Sequence, residues 1–222
     1  MEFDTILNEA NKIDTSDGFL TIMSTSATSV KLVLLGDSGV GKTSIATQYI
    51  SGKAPQSVKP TIGAAFVTKS IVVDGQPVEL LIWDTAGQEV YRGLAPMYYR
   101  SALIAIVVFD ITRQQSYDSV SYWINELKAN ADSRTIIVVC ANKTDLEDQR
   151  AVVEVTAQEF AESHGALYAA TSATTGSGID RMFQMAVGKL MKDQAGEPVN
   201  QNGKQGGGVA LREEQNTKKG CC

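Results

Sequence analysis

Residues 30–51 read VKLVLLGDSGVGKTSIATQYIS, and this stretch decides the fold. An apolar run rich in β-forming residues ends at Gly36, and the residues after Thr43 have the composition of a helix. The loop between them fits G-x-x-x-x-G-K-[ST], and a strand before it with a helix behind it favours a phosphate-binding loop over a plain glycine-rich turn. We therefore expect phosphate oxygens to bind at Gly36, Asp37, Ser38, Gly39, Val40, Gly41, Lys42 and Thr43.

The rest of the chain alternates strand and helix patterns. Residues 102–110 (ALIAIVVFD) and 135–142 (TIIVVCAN) are continuous apolar runs, typical of strands that helices cover on both faces. Asp74 and Gly75 form a turn pair between two strand-like segments, which predicts a hairpin. Between the apolar runs, Val120, Ile124 and Leu127 form one helical stripe. The pattern predicts an α/β domain with a largely parallel sheet and one antiparallel edge strand.

Composition limits the organisation of the chain. Its 222 residues are 43% apolar and 20% charged, with a formal net charge of −5. That is enough for one well-buried α/β domain with terminal segments, and it excludes wholesale disorder. No run approaches the ~20 apolar residues of a membrane-spanning helix, and the acidic balance disfavours nucleic acid as a partner. We predict a mobile acidic extension at 1–29, one domain at 30–192 and a flexible Gly-rich tail at 193–222.

Further residues are suited to a magnesium ion and a terminal phosphate. The hydroxyl of Thr61, in the segment KPTIG, can join that of Thr43 as a metal ligand. Asp84 ends a strand and is placed to hold the metal through water. Gly87 has no side chain, so its amide can closely approach a phosphate, and Gln88 can orient a water for in-line attack.

A second group of polar residues predicts guanine recognition. Asn142, Lys143 and Asp145 follow the apolar run 135–142 in the tetrapeptide NKTD. A carboxylate at Asp145 can accept from both N1–H and the exocyclic amine of guanine, and adenine presents the wrong pattern. Lys143 would lie along the base, Asn142 would brace the loops, and backbone amides near Ser172 and Ala173 would face the guanine oxygen. A polar loop without a ligand is the alternative.

The ordered set GDSGVGKT, Thr61, WDTAGQ, NKTD and TSA resembles the Ras superfamily of small GTPases over about residues 30–192. The strings KPTIGAAF and LAPMYYR and the terminal Cys-Cys resemble the Rab family, and within it the early-endosomal subgroup. This resemblance implies the P-loop NTPase fold, a three-layer α/β/α arrangement around a six-stranded, mostly parallel sheet with one antiparallel edge strand. It also implies GTP or GDP and Mg²⁺ as ligands, and slow hydrolysis that needs an external activator.

The Rab resemblance extends to partners. Phe66, Trp83 and Tyr98 match the aromatic triad that meets effectors, with ordinary core packing as the alternative. Cys221 and Cys222 match a doubly prenylated end, and two lipid chains anchor stably where one does not. The expected partners are effectors, an exchange factor, a GTPase-activating protein, and prenylation and extraction chaperones. The expected state is a monomer on the cytoplasmic face of endosomal or related vesicle membranes, cycling with the cytosol.

Two departures from the family pattern stand out. The family usually carries an aromatic residue eleven positions after the magnesium-binding Thr, stacked on guanine, but this chain has Ala54 there. We expect faster nucleotide loss as a result, and Tyr49 could replace the missing ring only if the loop rearranged. Val90 stands where many Rab proteins carry Arg, which should affect partner choice more than chemistry.

Two other functions remain open at this point. A P-loop ATPase or kinase would share the phosphate loop, although the NKTD segment disfavours it. A module that binds nucleotide without cycling would not need Thr61 and Gln88. The sequence offers no convincing arginine finger of its own, since Arg92 is a weak candidate.

Overall fold

The computed structural model describes residues 27–55, 60–87, 93 and 95–196. Most of the predicted N-terminal extension, nearly all of the predicted tail, and Gln88, Val90 and Arg92 lie outside these residues.

A single six-stranded sheet forms the centre of the domain. Its order is β2-β3-β1-β4-β5-β6, and only the β2–β3 pair is antiparallel. The strands are β1 (Thr28–Leu35), β2 (Ala64–Val73), β3 (Gln76–Thr85), β4 (Ile104–Asp110), β5 (Ile136–Asn142) and β6 (Leu167–Thr171). The predicted fold, mostly parallel with β2 as its antiparallel edge strand, is confirmed.

Helices cover both faces of the sheet. They are α1 (Lys42–Ser51), α2 (Ala95–Tyr99), α3 (Gln114–Asn130), α4 (Glu154–Ser163) and α5 (Ile179–Gly196), with a 3₁₀ helix at Thr144–Gln149. One core cluster joins the sheet to α1 and α5, and a second joins the opposite face to α2, α3 and α4. All seven residues of β4 are buried, which explains why that strand shows no alternation.

Local sequence signals account for most element boundaries. Asp74 and Gly75 both have positive φ, at 49° and 77°, as a tight hairpin turn requires. Val120, Ile124 and Leu127 are buried, so the predicted stripe of α3 is confirmed. The last helix differs from expectation, because α5 continues to Gly196, four residues into the segment predicted as tail. Residues 193–196 carry no strong helix breaker before Gly196, so the helix continues beyond its last buried residue, Leu190.

The topology brings the motif residues to one edge of the sheet. Five strands are parallel, and the loops after β1, β3, β5 and β6 all leave from their carboxyl ends. Ligands of open α/β sheets bind at this edge, which is where the phosphate loop, Asp84 and the NKTD segment lie.

Candidate nucleotide-binding site

The phosphate loop curls around the start of α1. Gly41 immediately precedes the helix with φ 104°, and a Cβ on it would lie 2.2 Å from Asn142 Nδ2, so a side chain is excluded. Helix α1 begins at Lys42, so its free N–H groups point towards the loop. A helix N-terminus beneath a glycine-rich loop attracts anions through its dipole and its unpaired amides.

Lys42 is the cation of this loop. Its side chain is 5% exposed, and Nζ donates to Gly36 O at 2.7 Å and Asp37 O at 2.8 Å. Burial lowers the pKa of Lys42 to about 8, against the attraction of Asp84 and Asp37. The ammonium group is therefore desolvated, and its hydrogen-bond partners among the described residues are neutral carbonyls, an environment that an anion would improve.

Two hydroxyls and a carboxylate meet beside Lys42. Thr43 Oγ1 lies 2.8 Å from Thr61 Oγ1 and donates to Asp84 Oδ2 at 2.6 Å. Asp84 is 3% exposed, and its Oδ1 has no hydrogen-bond partner within the part of the chain that the structure describes. Burial raises the pKa of Asp84, against the hydrogen bond from Thr43 and the charge of Lys42. A buried carboxylate oxygen without a partner, next to two hydroxyls, is a donor set that fits a hydrated magnesium ion.

Gly87 closes the phosphate side. A Cβ on this residue would lie 2.4 Å from both Asp37 O and Lys42 Nζ, so only glycine allows the backbone after β3 to come this close to the phosphate loop. Gln88, the predicted water-orienting residue, lies outside the described residues.

Asn142 joins the base-side loops to the phosphate loop. It is 1% exposed and donates from Nδ2 to Val40 O at 2.8 Å. Its Oδ1 accepts from Thr171 Oγ1 and from Ala173 N, both at 3.2 Å. One amide side chain thereby holds the loops after β1 and β6 to the end of β5, the bracing that the sequence predicted.

Lys143 and Asp145 lie on the turn that follows. Lys143 adopts the left-handed backbone at φ 71° and ψ 37°, which is uncommon for a residue with a side chain. Ser172 Oγ donates to Asp145 Oδ1 at 2.6 Å, so the loop after β6 orients the carboxylate. Asp145 and the loop that carries Ser172 and Ala173 are therefore brought together; their role in guanine recognition stays a prediction.

Position 54, where the family pattern has an aromatic residue that stacks on guanine, carries alanine in this chain. Ala54 is exposed. Tyr49 is 5% exposed, and its ring stacks on Phe183 with centroids 3.7 Å apart. Lys69 Nζ lies over the Tyr49 ring, 3.7 Å from its centroid. Tyr49 is thus held in the core between α1 and α5.

The three predicted effector aromatics form a continuous row. Ring centroids of Phe66 and Trp83 are 5.2 Å apart, and those of Trp83 and Tyr98 are 5.6 Å apart. Phe66 is 50% exposed, whereas Trp83 and Tyr98 pack partly against the core. Two further apolar side chains on the same strings, Ile62 and Met97, are 80% and 72% exposed, and they were not singled out from the sequence as surface residues. Their positions inside KPTIGAAF and LAPMYYR, the strings that also carry Phe66 and Tyr98, could have indicated that they belong to the same surface.

This arrangement of phosphate loop, hydroxyl–carboxylate group and base loop defines a P-loop nucleotide-binding protein. The Ras family model matches residues 31–192, so the chain belongs to the Ras family, whose members are GTPases. The Ras-related protein RabJ of Dictyostelium discoideum is 46% identical over 161 residues, which are 72% of this chain and 62% of that protein. The Ras-related protein RABA2a of Arabidopsis thaliana is 38% identical over 201 residues, 86% and 93% of the two chains.

These relatives support the Rab resemblance. The early-endosomal assignment stays a prediction. In the described part of the chain, no helix combines the length and hydropathy needed to cross a bilayer.

Proposed function

We propose that this chain is a membrane-anchored GTPase switch of vesicle and endosomal trafficking. It binds GTP and GDP with Mg²⁺, hydrolyses GTP slowly and recruits effectors in the GTP state. The observation that carries this proposal is the contact of Thr43 with both Thr61 and Asp84, next to a buried lysine in a phosphate loop.

Each predicted residue has a role in this proposal. The phosphates lie against the amides of residues 36–43 and Gly87, and Lys42 exchanges its two carbonyl partners for phosphate oxygens. Thr43 and Thr61 would hold Mg²⁺ through their hydroxyls, and Asp84 would hold it through water. Guanine pairs with Asp145, with Lys143 along the ring and with the backbone near Ser172 and Ala173. Bound Mg²⁺ supplies charge neutralisation between the outer phosphates.

Hydrolysis depends on positioning rather than on covalent chemistry. Gln88 orients the attacking water, and the phosphate loop and Lys42 stabilise the developing charge. The missing arginine comes from an activating protein, so intrinsic turnover is slow.

The proposed effector surface adjoins the metal group. Trp83 directly precedes Asp84 in β3, and Phe66 pairs with Trp83 across the β2–β3 ladder. Thr61 lies three positions before the first residue of β2, and Gly87 lies two positions after the last residue of β3. A γ-phosphate that pulls Thr61 and Gly87 inward therefore shifts both strands' ends, and with them the aromatic row.

Membrane attachment rests on Cys221 and Cys222, which lie outside the described residues. Replacing both cysteines should release the protein from membranes. Unchanged membrane retention of the double variant would refute lipidation at this end.

The central test is nucleotide binding and turnover. The purified protein should carry guanosine nucleotide, and its melting temperature should rise with GDP and Mg²⁺ but not with ADP and Mg²⁺. Single-turnover GTP hydrolysis should be slow and slower still in Gln88→Leu. Equal protection by ADP would favour an ATPase, and tight binding without any turnover would favour a module that does not cycle.

A further inference from the structure

The start of α3 contacts the outside of the phosphate loop. Arg113 Nη2 donates to Ser38 O at 2.9 Å, and Ser119 Oγ donates to Asp37 Oδ2 at 2.8 Å. The guanidinium lies so close to the loop that a Cβ on Gly39 would be 3.9 Å from it. Two residues of the loop's outer turn are thereby fixed by side chains from a distant segment.

Arg113 also belongs to an ion-pair group centred on a buried carboxylate. Its Nε lies 3.4 Å from Asp110 Oδ2, and Lys143 Nζ lies 2.6 Å from the same oxygen. The other oxygen, Oδ1, accepts from Thr112 N at 2.9 Å and Thr112 Oγ1 at 2.7 Å. Asp110 is 1% exposed, and its buried carboxylate joins two partly exposed cations, Arg113 beside the phosphate loop and Lys143 on the base side.

The charge states support this connection. Burial alone would raise the pKa of Asp110, but hydrogen bonds from Lys143 and Thr112 and the charge of Lys143 hold it below its usual value. Burial is the main cause that lowers the pKa of Lys42, and the positive charge of Arg113 lowers it further. The field of Arg113 therefore reaches the atom that is expected to meet the outer phosphates.

We propose that Arg113 is a positioning residue for the nucleotide: it fixes the outer turn of the phosphate loop and, through Asp110, couples that loop to Lys143. This inference rests on the proposed nucleotide binding. Arg113 is not an arginine finger, because its guanidinium is bonded to the loop's own backbone. A loop already ordered before binding loses less conformational freedom when the nucleotide enters, so retention improves.

The first test measures release of a fluorescent GDP from the full chain. Arg113→Ala should release it about 2- to 10-fold faster, the range expected for one hydrogen bond within an ion-pair group. Arg113→Lys should give an intermediate rate, because lysine keeps the charge but one ammonium cannot reproduce the two-sided guanidinium contact. Arg134→Ala is the matched control, since Arg134 pairs with Asp132 on an exposed turn, and it should release GDP at the wild-type rate.

Two further measurements separate positioning from general stability. The nucleotide-free melting temperature should fall only slightly in Arg113→Ala, because Lys143 and Thr112 still bind Asp110, while the increase produced by GDP becomes clearly smaller. The release penalties of Arg113→Ala and Lys143→Ala should combine to less than their product, because both residues act through Asp110.

Three results would overturn the inference: a wild-type release rate in Arg113→Ala, full rescue by lysine, or an equal loss of melting temperature with and without GDP. Penalties that multiply would overturn the coupling to Lys143. A wild-type protein that bound no GDP would instead refute the proposed function.

Discussion

Replacing Ala54 with phenylalanine should slow nucleotide release. Ala54 is exposed, and the nearby Tyr49 is engaged with Phe183 and Lys69. Position 54 therefore offers no ring to the proposed guanine site, and Tyr49 is held in the core and does not replace it. Because position 54 faces solvent, a larger side chain should change the stability of the nucleotide-free protein by less than about 0.5 kcal/mol.

The size of the effect follows from the energy of stacking. An aromatic side chain on a base contributes roughly 1–3 kcal/mol. Since about 1.4 kcal/mol corresponds to a factor of ten, Ala54→Phe should bind GDP roughly 5- to 150-fold more tightly, mainly through slower release.

The assay follows a fluorescent GDP displaced by excess unlabelled GDP in the presence of Mg²⁺. Ala54→Leu is the matched control, because it adds apolar surface without an aromatic face. The reasoning would be refuted if Ala54→Phe released nucleotide at the wild-type rate. It would also be refuted if Ala54→Leu slowed release as much, because apolar area and not stacking would then be responsible.

Three more predictions test the site and the core. Since burial lowers the pKa of Lys42 to about 8 and bound phosphates should raise it, GDP binding near pH ~8 should take up about half a proton. Calorimetry in buffers of different ionisation enthalpy measures this uptake, and affinity should fall as the pH rises above 8; no uptake would contradict the assignment. Asp145→Asn should weaken GDP binding roughly 10- to 100-fold. The variant should favour xanthosine diphosphate, because the C2 carbonyl of xanthine can accept a hydrogen bond from the new amide. Undiminished GDP affinity in a competition assay would exclude Asp145 from base recognition. Phe183→Ala, which removes a fully buried ring stacked on Tyr49, should lower the free energy of unfolding by about 3–5 kcal/mol in urea titrations. Phe183→Leu should lose less, because leucine fills part of the space; a Phe183→Leu variant as stable as the wild type would show that the stack adds nothing.

Much of the fold could be predicted from the sequence, because the patterns that specify strands and turns are local. The run that became β4 lacks alternation since helices cover both of its faces, and Asp74-Gly75 is a pair that a tight hairpin turn requires. The end of α5 was not readable, because residues 193–196 lack any strong stop signal and continue the helix with polar side chains.

The site shows the same division. Its motif residues could be identified because each lies directly after a strand, at the edge where such sheets bind ligands. The contacts of Arg113 with Ser38 and Asp110 could not, because they depend on where α3 starts relative to the phosphate loop. Likewise, no periodicity in the sequence indicates that Tyr49 would stack on Phe183 instead of facing a base.

The position of Asn142 has a consequence for the lifetime of the protein. Its hydrogen bonds to Val40, Thr171 and Ala173 join segments that are far apart in the sequence and therefore do not contact one another in the unfolded chain. Under the proposed function, a nucleotide held by these loops would bind only the native state, and at ~1,000 times its dissociation constant it would add about 4 kcal/mol to folding. The nucleotide-free molecule would then be the form most exposed to proteolysis. Cellular nucleotide supply would thus govern how long each copy survives.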